Sequence, residues 1–301
     1  MSILLETEGL TKTYWHKVAL DHVTFQLKQG EIYGLIGKNG AGKTTLMKII
    51  SGLVRPKEGT YRIFGMTEAE YRKIPARHGI LIEDPGYFGN FDAMTNLKLR
   101  MMQAGVGQPS ERKELLEMVG LENVGEKPVG KFSFGMKQRL GLAMALVGRP
   151  DLVILDEPIN GLDPQGISDI RETILRINHE YKTTFLISSH ILSELGRVAN
   201  RFGIINNGKL VDEFTGEELK ERCTESIELV TDNPEKTTAV LERLGFRVTP
   251  KDGSGRLCVG NLGNRQEDIS LAIATEGITL LEMEPKGETM ESYYLNLVGK
   301  E

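Results

Sequence analysis

The sequence GKNGAGKT occupies residues 37–44, after an apolar run at residues 32–36 and before a helix-like segment at residues 46–50. Its three glycines can adopt backbone angles that are closed to other residues, so consecutive N–H groups can turn inward around phosphate oxygens. The positive end of the following helix points at the same place, Lys43 can reach the β- and γ-phosphates, and Thr44 offers a hydroxyl to Mg²⁺. This segment is therefore predicted to be a phosphate-binding loop rather than a glycine-rich turn that matches by chance.

Length and charge restrict the remaining classes of function. A chain of 301 residues exceeds one average domain, which predicts two domains. The formal net charge of −5 provides no overall basic field, so nucleic acid is not an expected partner. Cys223 and Cys258 lie far apart, without metal-ligand or redox spacing, and are expected to be reduced thiols in the cytoplasm.

The sequence also bears on membrane association. No apolar run approaches the roughly 18 to 20 residues that span a bilayer. The N-terminus carries Glu6 and Glu8 where a signal peptide carries basic residues. We expect a soluble chain whose membrane role, if it has one, depends on a partner.

Two apolar segments each end in polar side chains. Residues 152–155 precede Asp156 and Glu157, and residues 184–187 lead through two serines to His190. Short, fully apolar runs are typical of buried parallel strands, whose carboxyl ends meet at one edge of a sheet. Near a phosphate loop, one acid is expected to bind Mg²⁺ and the other to orient or deprotonate water. A lone histidine is more often an ordinary loop residue, but this position favours a role in the site.

Two further segments have a structural and a functional interpretation. Tyr14, between two predicted strands, can stack on a nucleotide base or can simply pack on the first hairpin. The segment GKFSFGMKQR at residues 130–139 runs into an amphipathic helix, so Ser133 can act as its N-terminal cap. Residue spacing alone leaves both alternatives open.

The remaining pattern predicts two domains, at residues 1–217 and 218–301. Apart from the apolar segments above, the first has predicted strands at residues 3–8, 23–27, 60–64 and 79–82, helices at 95–104 and 110–119, and a closing hairpin at 202–213. The second has predicted strands at 226–231, 246–250, 256–260 and 278–284 and helices at 234–244, 266–275 and 288–298. This second order predicts a small α+β domain of the split βαβ, ferredoxin-like type.

Taken in order, these motifs resemble those of an ATP-binding subunit of an ABC transporter, over about the first 215 residues. Residues 37–44 match the Walker A loop, residues 152–157 match Walker B, and residues 160–163 match the D-loop. His190 falls at the switch histidine and Tyr14 at the aromatic residue that stacks on adenine. The resemblance implies an α/β fold with a parallel-sheet RecA-like lobe, an antiparallel β lobe and a small helical lobe.

The resemblance also implies roles for individual residues. Glu157 is the implied general base, His190 holds the γ-phosphate and water in line, and Lys43 stabilises charge. The implied Mg²⁺ ligands are Thr44, Glu83 and Asp156. The implied ATP-binding residues are Tyr14, Gly37, Asn39, Gly40, Ala41, Gly42, Lys43, Thr44, Thr45, Glu83, Ser133 and Gly135.

Two motifs depart from the commonest family pattern. The signature Leu-Ser-Gly-Gly-Gln is replaced by FSFGM at residues 132–136, which retains Ser133 and Gly135 but places Phe134 between them. Glu83 occupies the usual Q-loop glutamine position, which adds a negative charge near the phosphates. Both departures resemble the bacitracin-resistance and lantibiotic-immunity branch of peptide exporters.

The resemblance implies an ATPase that works as a head-to-tail homodimer or heterodimer and drives export through a separate membrane permease. The chain would then lie in the cytoplasm, peripheral to the inner face of the membrane. The alternatives are a soluble ABC ATPase acting on a ribosome or nucleic acid, a kinase built on a phosphate loop, and a non-hydrolysing regulatory module. For residues 218–301, dimer contact and ligand sensing both remain open.

Overall fold

The computed structural model describes residues 2–74, 77–222, 226–251, 255–260, 265–286 and 293–294. The chain divides into two compact units, Met1–Gly216 and Glu217–Glu301. Among the described residues, no helix combines the length and the apolar character that crossing a bilayer requires. Cys223 lies outside the described residues.

Among its described residues, the first unit combines ten strands with helices that connect them. Its strands are β1 (Ile3–Tyr14), β2 (Lys17–Lys28), β3 (Ile32–Ile36), β4 (Glu58–Ile63), β5 (Met66–Thr67), β6 (His78–Leu81), β7 (Leu152–Asp156), β8 (Thr184–Ser189), β9 (Arg201–Asn206) and β10 (Lys209–Thr215). Its helices are α1 (Lys43–Ile50), α2 (Glu68–Tyr71), α3 (Ala93–Ala104), α4 (Glu111–Met118), α5 (Phe134–Ala145), α6 (Pro164–Tyr181) and α7 (Leu192–Leu195), with a short 3-10 helix at Val129–Lys131. Helix α8 (Gly216–Arg222) follows at the division between the units.

A six-stranded sheet of order β10-β9-β3-β8-β7-β6 forms the centre of this unit. All neighbouring strands in it are parallel except the edge pair β9 and β10. Strand β3 is buried along its whole length, and β7 is buried up to its last residue, Asp156. Such strands are stable only when helices cover both faces. The predicted α/β class is confirmed, and the carboxyl ends of β6, β7, β8 and β3 lie side by side at one edge.

A second, antiparallel sheet has the order β2-β1-β4-β5. It shares a hydrophobic core with the central sheet, in which Leu5 and Phe25 belong to the same cluster as Leu46 and Ile154. The prediction that the first strand ends at residue 8 is wrong, since β1 continues to Tyr14. Register shifts on both sides of Leu10 absorb the irregularity around Gly9 and allow pairing with β2 to resume.

Three helices, α3, α4 and α5, follow β6 in the chain and precede β7. Helix α3 begins at a side-chain cap in which the Asp92 carboxylate accepts a hydrogen bond from the Thr95 N–H at 2.6 Å. It ends at Gly105 in the left-handed conformation. Both ends of α3 are therefore specified by local sequence. Helix α5 begins just after Ser133, whose hydroxyl accepts from the Met136 N–H at 3.3 Å.

The described part of the second unit contains a four-stranded antiparallel sheet and helices that pack with it. Its elements are β11 (Ser226–Thr231), α9 (Pro234–Arg243), β12 (Arg247–Pro250), β13 (Arg256–Gly260), α10 (Gln266–Thr275) and β14 (Leu280–Lys286), with strand order β12-β13-β11-β14. Apolar residues of both helices and of β11 and β13 form one core, which includes Leu229, Leu241, Val259 and Ile269. Of the helix predicted at residues 288–298, the structure describes only Tyr293 and Tyr294, which are helical.

Close packing of α5 against β6 predicts a test of this fold. A Cβ atom on Gly79 would lie 1.7 Å from the Ala145 carbonyl oxygen. Gly79→Ala is therefore expected to lower the free energy of unfolding by about 1 to 3 kcal/mol, the usual cost of overpacking. Urea denaturation measures this change.

Gly89→Ala is the matched control, since its Cβ would meet Gly130 only at ordinary contact distances of 3.6 and 3.7 Å. We expect this variant to unfold at nearly the wild-type urea concentration. Equal stability of the two variants would contradict the packing of β6 described above.

Candidate active site

The phosphate loop joins the end of β3 to the start of α1. Gly40 and Gly42 have positive φ angles of 83° and 116°, which disfavour residues with a side chain. A Cβ atom on Gly37 would lie 2.5 Å from the Ile205 carbonyl oxygen, so this position also requires glycine. No side chain caps α1 at Gly42, so its first N–H groups are available to an anion. Asn39 is exposed in the same loop.

Lys43 lies at the centre of this loop. Its side chain is only 5% exposed, and the ammonium donates to the carbonyl oxygens of Gly37 at 2.6 Å and Lys38 at 3.3 Å. Glu157 Oε1 lies 3.1 Å from the same nitrogen. A buried ammonium requires such partners because the interior solvates charge poorly. The loop thus holds one buried positive charge, where phosphate oxygens can replace the glutamate.

Asp156 is the last residue of β7 and is held at both carboxylate oxygens. The Thr44 hydroxyl donates to Oδ2 at 2.7 Å, and the Ser188 hydroxyl donates to Oδ1 at 2.5 Å. The structure therefore brings together two of the three predicted metal ligands, Thr44 and Asp156. Thr45, on the next position of α1, is partly buried.

Glu157 follows in the left-handed backbone conformation, with φ of 51°. Its N–H donates to the Ser188 hydroxyl at 2.9 Å, and a hydrogen bond of 2.7 Å joins its Oε2 to His190 Nδ1. Oε1 is buried and, apart from the ion pair with Lys43, has no hydrogen-bond partner among the described residues. The predicted catalytic residues Glu157, His190 and Lys43 therefore form one cluster.

Glu83 follows β6 at the same edge of the sheet. Its side chain is 64% exposed, and Lys48 of α1 donates to Oε1 at 2.7 Å. Within the described part of the chain, the carboxylate is bonded to neither Thr44 nor Asp156. Its predicted role as a metal ligand stays a prediction, while the structure adds a cation that neutralises the extra charge.

The other predicted residues make their contacts outside this cluster. Tyr14 is 41% exposed at the end of β1, with Lys12 Nζ 5.2 Å from the centre of its ring. Ser133 caps α5, and no hydrogen bond or ion pair among the described residues joins it to the phosphate loop. The exposed Phe134 ring packs toward the D-loop, where a Cβ on Gly161 would lie 3.2 Å from it.

Sequence reasoning missed Ser188 and Lys48. Ser188 is a hydroxyl that directly follows the apolar residues Phe185–Ile187, and that contrast is the only signal the sequence offers. Its partner Asp156 is revealed by the parallel register of β7 and β8, which places the two residues opposite each other. Lys48 carries no recognisable signal because its pairing with Glu83 depends on how α1 lies against the end of β6.

A phosphate loop, a buried lysine and an acid pair at the carboxyl edge of a parallel sheet define a P-loop nucleoside triphosphatase. The sequence profile of the family described as ABC transporter matches residues 20–160. The chain is 38% identical over 303 residues to the bacitracin transport ATP-binding protein BcrA of Bacillus licheniformis, covering 99% of this chain and 98% of that protein.

Two other comparisons agree. The chain is 42% identical over 219 residues to the lantibiotic transport ATP-binding protein SrtF of Streptococcus pyogenes, covering 71% of this chain and 93% of that protein. Among solved structures, dimeric MJ0796, a bacterial ABC transporter cassette, matches with a TM-score of 0.65 at 25% identity, covering 70% of this chain and 98% of that one. The chain belongs to the ATP-binding proteins of the ABC transporter family, and its chemistry is the binding and hydrolysis of ATP.

The ion pair between Lys48 and Glu83 predicts a coupled effect on ATP binding. Lys48 lies five residues beyond Lys43 on α1, about 7.5 Å along the helix axis and within the Debye length of about 10 Å. Because the pair is neutral, Lys48→Met leaves an unpaired carboxylate and is expected to raise the Kd for metal-free ATP several-fold, whereas Glu83→Gln leaves an unpaired ammonium and is expected to lower it. Removing both charges together keeps the pair's net charge at zero, so the double variant is expected to bind within about twofold of wild type.

Asp151→Asn is the matched control, since it also removes one carboxylate from an ion pair. Asp151 lies just before the amino end of β7, and its Oδ2 is 2.8 Å from Arg77 Nε. Titration of a fluorescent ATP analogue measures all five Kd values, and the control is expected to match wild type. A double variant that binds ATP as weakly as Lys48→Met alone would show that the two charges do not compensate each other.

Proposed function

We propose that this protein powers the export of a peptide antibiotic or similar amphiphile through a separate membrane permease. The observation that carries the hydrolytic part is the cluster in which Lys43 and His190 both contact the Glu157 carboxylate. The cargo class is supported by the two relatives named for bacitracin and lantibiotic transport. Neither relative favours the ribosome or nucleic-acid alternative.

The phosphate loop and Lys43 bind the ATP phosphates. The uncapped N–H groups of α1 accept the anion, and the buried ammonium stabilises the charge that develops on the γ-phosphate. The exposed Tyr14 ring is available to stack on adenine. As ATP enters, phosphate oxygens replace Glu157 beside Lys43, which frees Oε1 for water.

Mg²⁺ is the proposed metal, and the residues present fit it. The oxygens of Thr44 and Asp156 lie 2.7 Å apart, and Mg²⁺ commonly binds through one or two carboxylates together with substrate phosphates. The described residues contain no cluster of three or more histidine, cysteine or acidic side chains, so the nucleotide would complete the coordination. When bound, the ion would neutralise phosphate charge during transfer. Glu83 can join this set only by leaving Lys48.

Glu157 is the proposed general base. Its buried Oε1 has no partner in the described part of the chain other than Lys43, so once phosphate replaces it there this oxygen can take the proton of an attacking water. His190 orients the carboxylate through Oε2 and is proposed to contact the γ-phosphate with its other ring nitrogen.

We further propose a head-to-tail homodimer or heterodimer, with each ATP between one phosphate loop and the signature of the partner subunit. Ser133 caps α5, and Gly135 lies in its first turn. No hydrogen bond or ion pair among the described residues joins them to the phosphate loop of the same chain. The match to a cassette solved as a dimer supports this arrangement. The permease would place the complex at the cytoplasmic face of the membrane.

The second unit is proposed to be a ferredoxin-like accessory domain at residues 218–301, following an ATP-binding domain at residues 1–217. Its βαββαβ chain order and its strand order β12-β13-β11-β14 support that class. Dimer contact is its proposed role, since its sequence has no phosphate loop or histidine.

Glu157→Gln tests the hydrolytic part of the proposal. The amide keeps the size of the side chain but cannot accept a proton, so kcat is expected to fall by about 100-fold or more while ATP binding persists. Phosphate release and equilibrium nucleotide binding are measured in parallel. Turnover within about threefold of wild type would remove Glu157 from the role of base.

Capture of the tagged protein from detergent-solubilised cells, with ATP and Mg²⁺ present, tests the transport part. A multi-span membrane protein in stoichiometric amount is the expected partner. Recovery of ribosomes or DNA-bound proteins instead would favour a soluble ATPase.

A further inference from the structure

A buried serine lies between the two acids of the site. Ser188 is 0% exposed and stands on β8, where the parallel register places it opposite Asp156 of β7. The three residues before it on the strand, Phe185–Ile187, are apolar. A hydroxyl at such a position is stable only when its hydrogen-bonding capacity is satisfied.

Among the described residues, both hydrogen bonds of the Ser188 hydroxyl involve the acid pair. The hydroxyl has one proton, which it donates to Asp156 Oδ1 at 2.5 Å. Its oxygen accepts from the Glu157 N–H at 2.9 Å. The same oxygen atom therefore fixes the carboxylate of one acid and the backbone of the other.

These two bonds determine where both acids point. With Oδ1 held by Ser188, Asp156 presents Oδ2 to Thr44, at 2.7 Å. The bond to its N–H holds Glu157 in the left-handed conformation, with φ of 51°, which residues with a side chain adopt only when their surroundings impose it. From this conformation the Glu157 carboxylate contacts Lys43 and His190.

We propose that Ser188 is a positioning residue for ATP hydrolysis, which couples the orientation of Asp156 to that of Glu157. The inference rests on the roles proposed above for these two acids. Within the part of the chain that the structure describes, the Ser188 hydroxyl makes no hydrogen bond to the phosphate loop or to His190, so it is proposed to act only through the acids.

The next residue provides a matched control. Ser189 is also buried, at 1% exposed, but its hydroxyl accepts from the Ile191 N–H at 2.9 Å, and no hydrogen bond among the described residues joins it to either acid. Ser189→Ala and Ser188→Ala remove the same atom from neighbouring positions of one strand. They differ in whether the acid pair loses a partner.

Loss of hydrogen bonds that orient charged groups is expected to lower kcat of Ser188→Ala by about 10- to 100-fold. The Kd for metal-free ATP is expected to stay within about twofold of wild type, because the phosphate loop is unchanged. The gain in affinity for a fluorescent ATP analogue on adding Mg²⁺ is expected to shrink severalfold, and Ser189→Ala is expected to retain it. Wild-type kcat and a wild-type Mg²⁺ gain in Ser188→Ala would overturn the proposal, and so would an equal loss in Ser189→Ala.

Urea denaturation establishes whether Ser188→Ala folds. If it does not, Ser188→Thr, which keeps the hydroxyl, is compared with Ser188→Cys, which donates only weakly. A kcat at least tenfold higher for threonine than for cysteine supports the proposal, and equal kcat overturns it. Glu157→Gln is assayed alongside: normal turnover in that variant defeats the proposed base, whereas an inactive Glu157→Gln beside a fully active Ser188→Ala defeats only the role of Ser188.

Discussion

The site depends on a buried positive charge. Lys43 is 5% exposed, and its ammonium is held by two carbonyl oxygens of its own loop and by Glu157. Removing one partner of a buried ion pair typically costs about 3 to 5 kcal/mol, so an anion must remain beside this nitrogen throughout the cycle. In the proposed mechanism, Glu157 supplies the anion before ATP binds and phosphate supplies it afterwards. Nucleotide binding and release of the proposed base are then the same event.

The sheet makes this exchange possible. Parallel strands β6, β7, β8 and β3 end at one edge, so residues far apart in the chain meet there without a dedicated scaffold. The same edge positions Glu83 against Lys48, which neutralises a charge that the usual glutamine would not have carried. The departure at this position is therefore accompanied by a compensating contact on α1.

The sequence predicts the parts of this site whose geometry is local. The phosphate loop can be predicted because Gly37, Lys43 and Thr44 lie within eight residues, and the Lys43 ammonium donates to the Gly37 carbonyl oxygen. The acid pair is readable because an apolar run ends in it. The roles of Ser188 and Lys48 cannot be predicted from the sequence, since their partners lie 32 and 35 residues away. The first contact depends on strand register and the second on the placement of α1. The sequence does not predict the full length of β1, because a glycine such as Gly9 is typical of the end of a strand, whereas here the strand continues through register shifts around it.

The most direct measurement is the affinity of Glu157→Gln for ATP in the absence of Mg²⁺, compared with that of wild type. If Glu157 competes with phosphate for Lys43, removal of its charge releases the ammonium, and we expect the variant to bind ATP several-fold more tightly. Equal or weaker binding would show that the ion pair at 3.1 Å does not oppose nucleotide entry and that the proposed exchange does not occur.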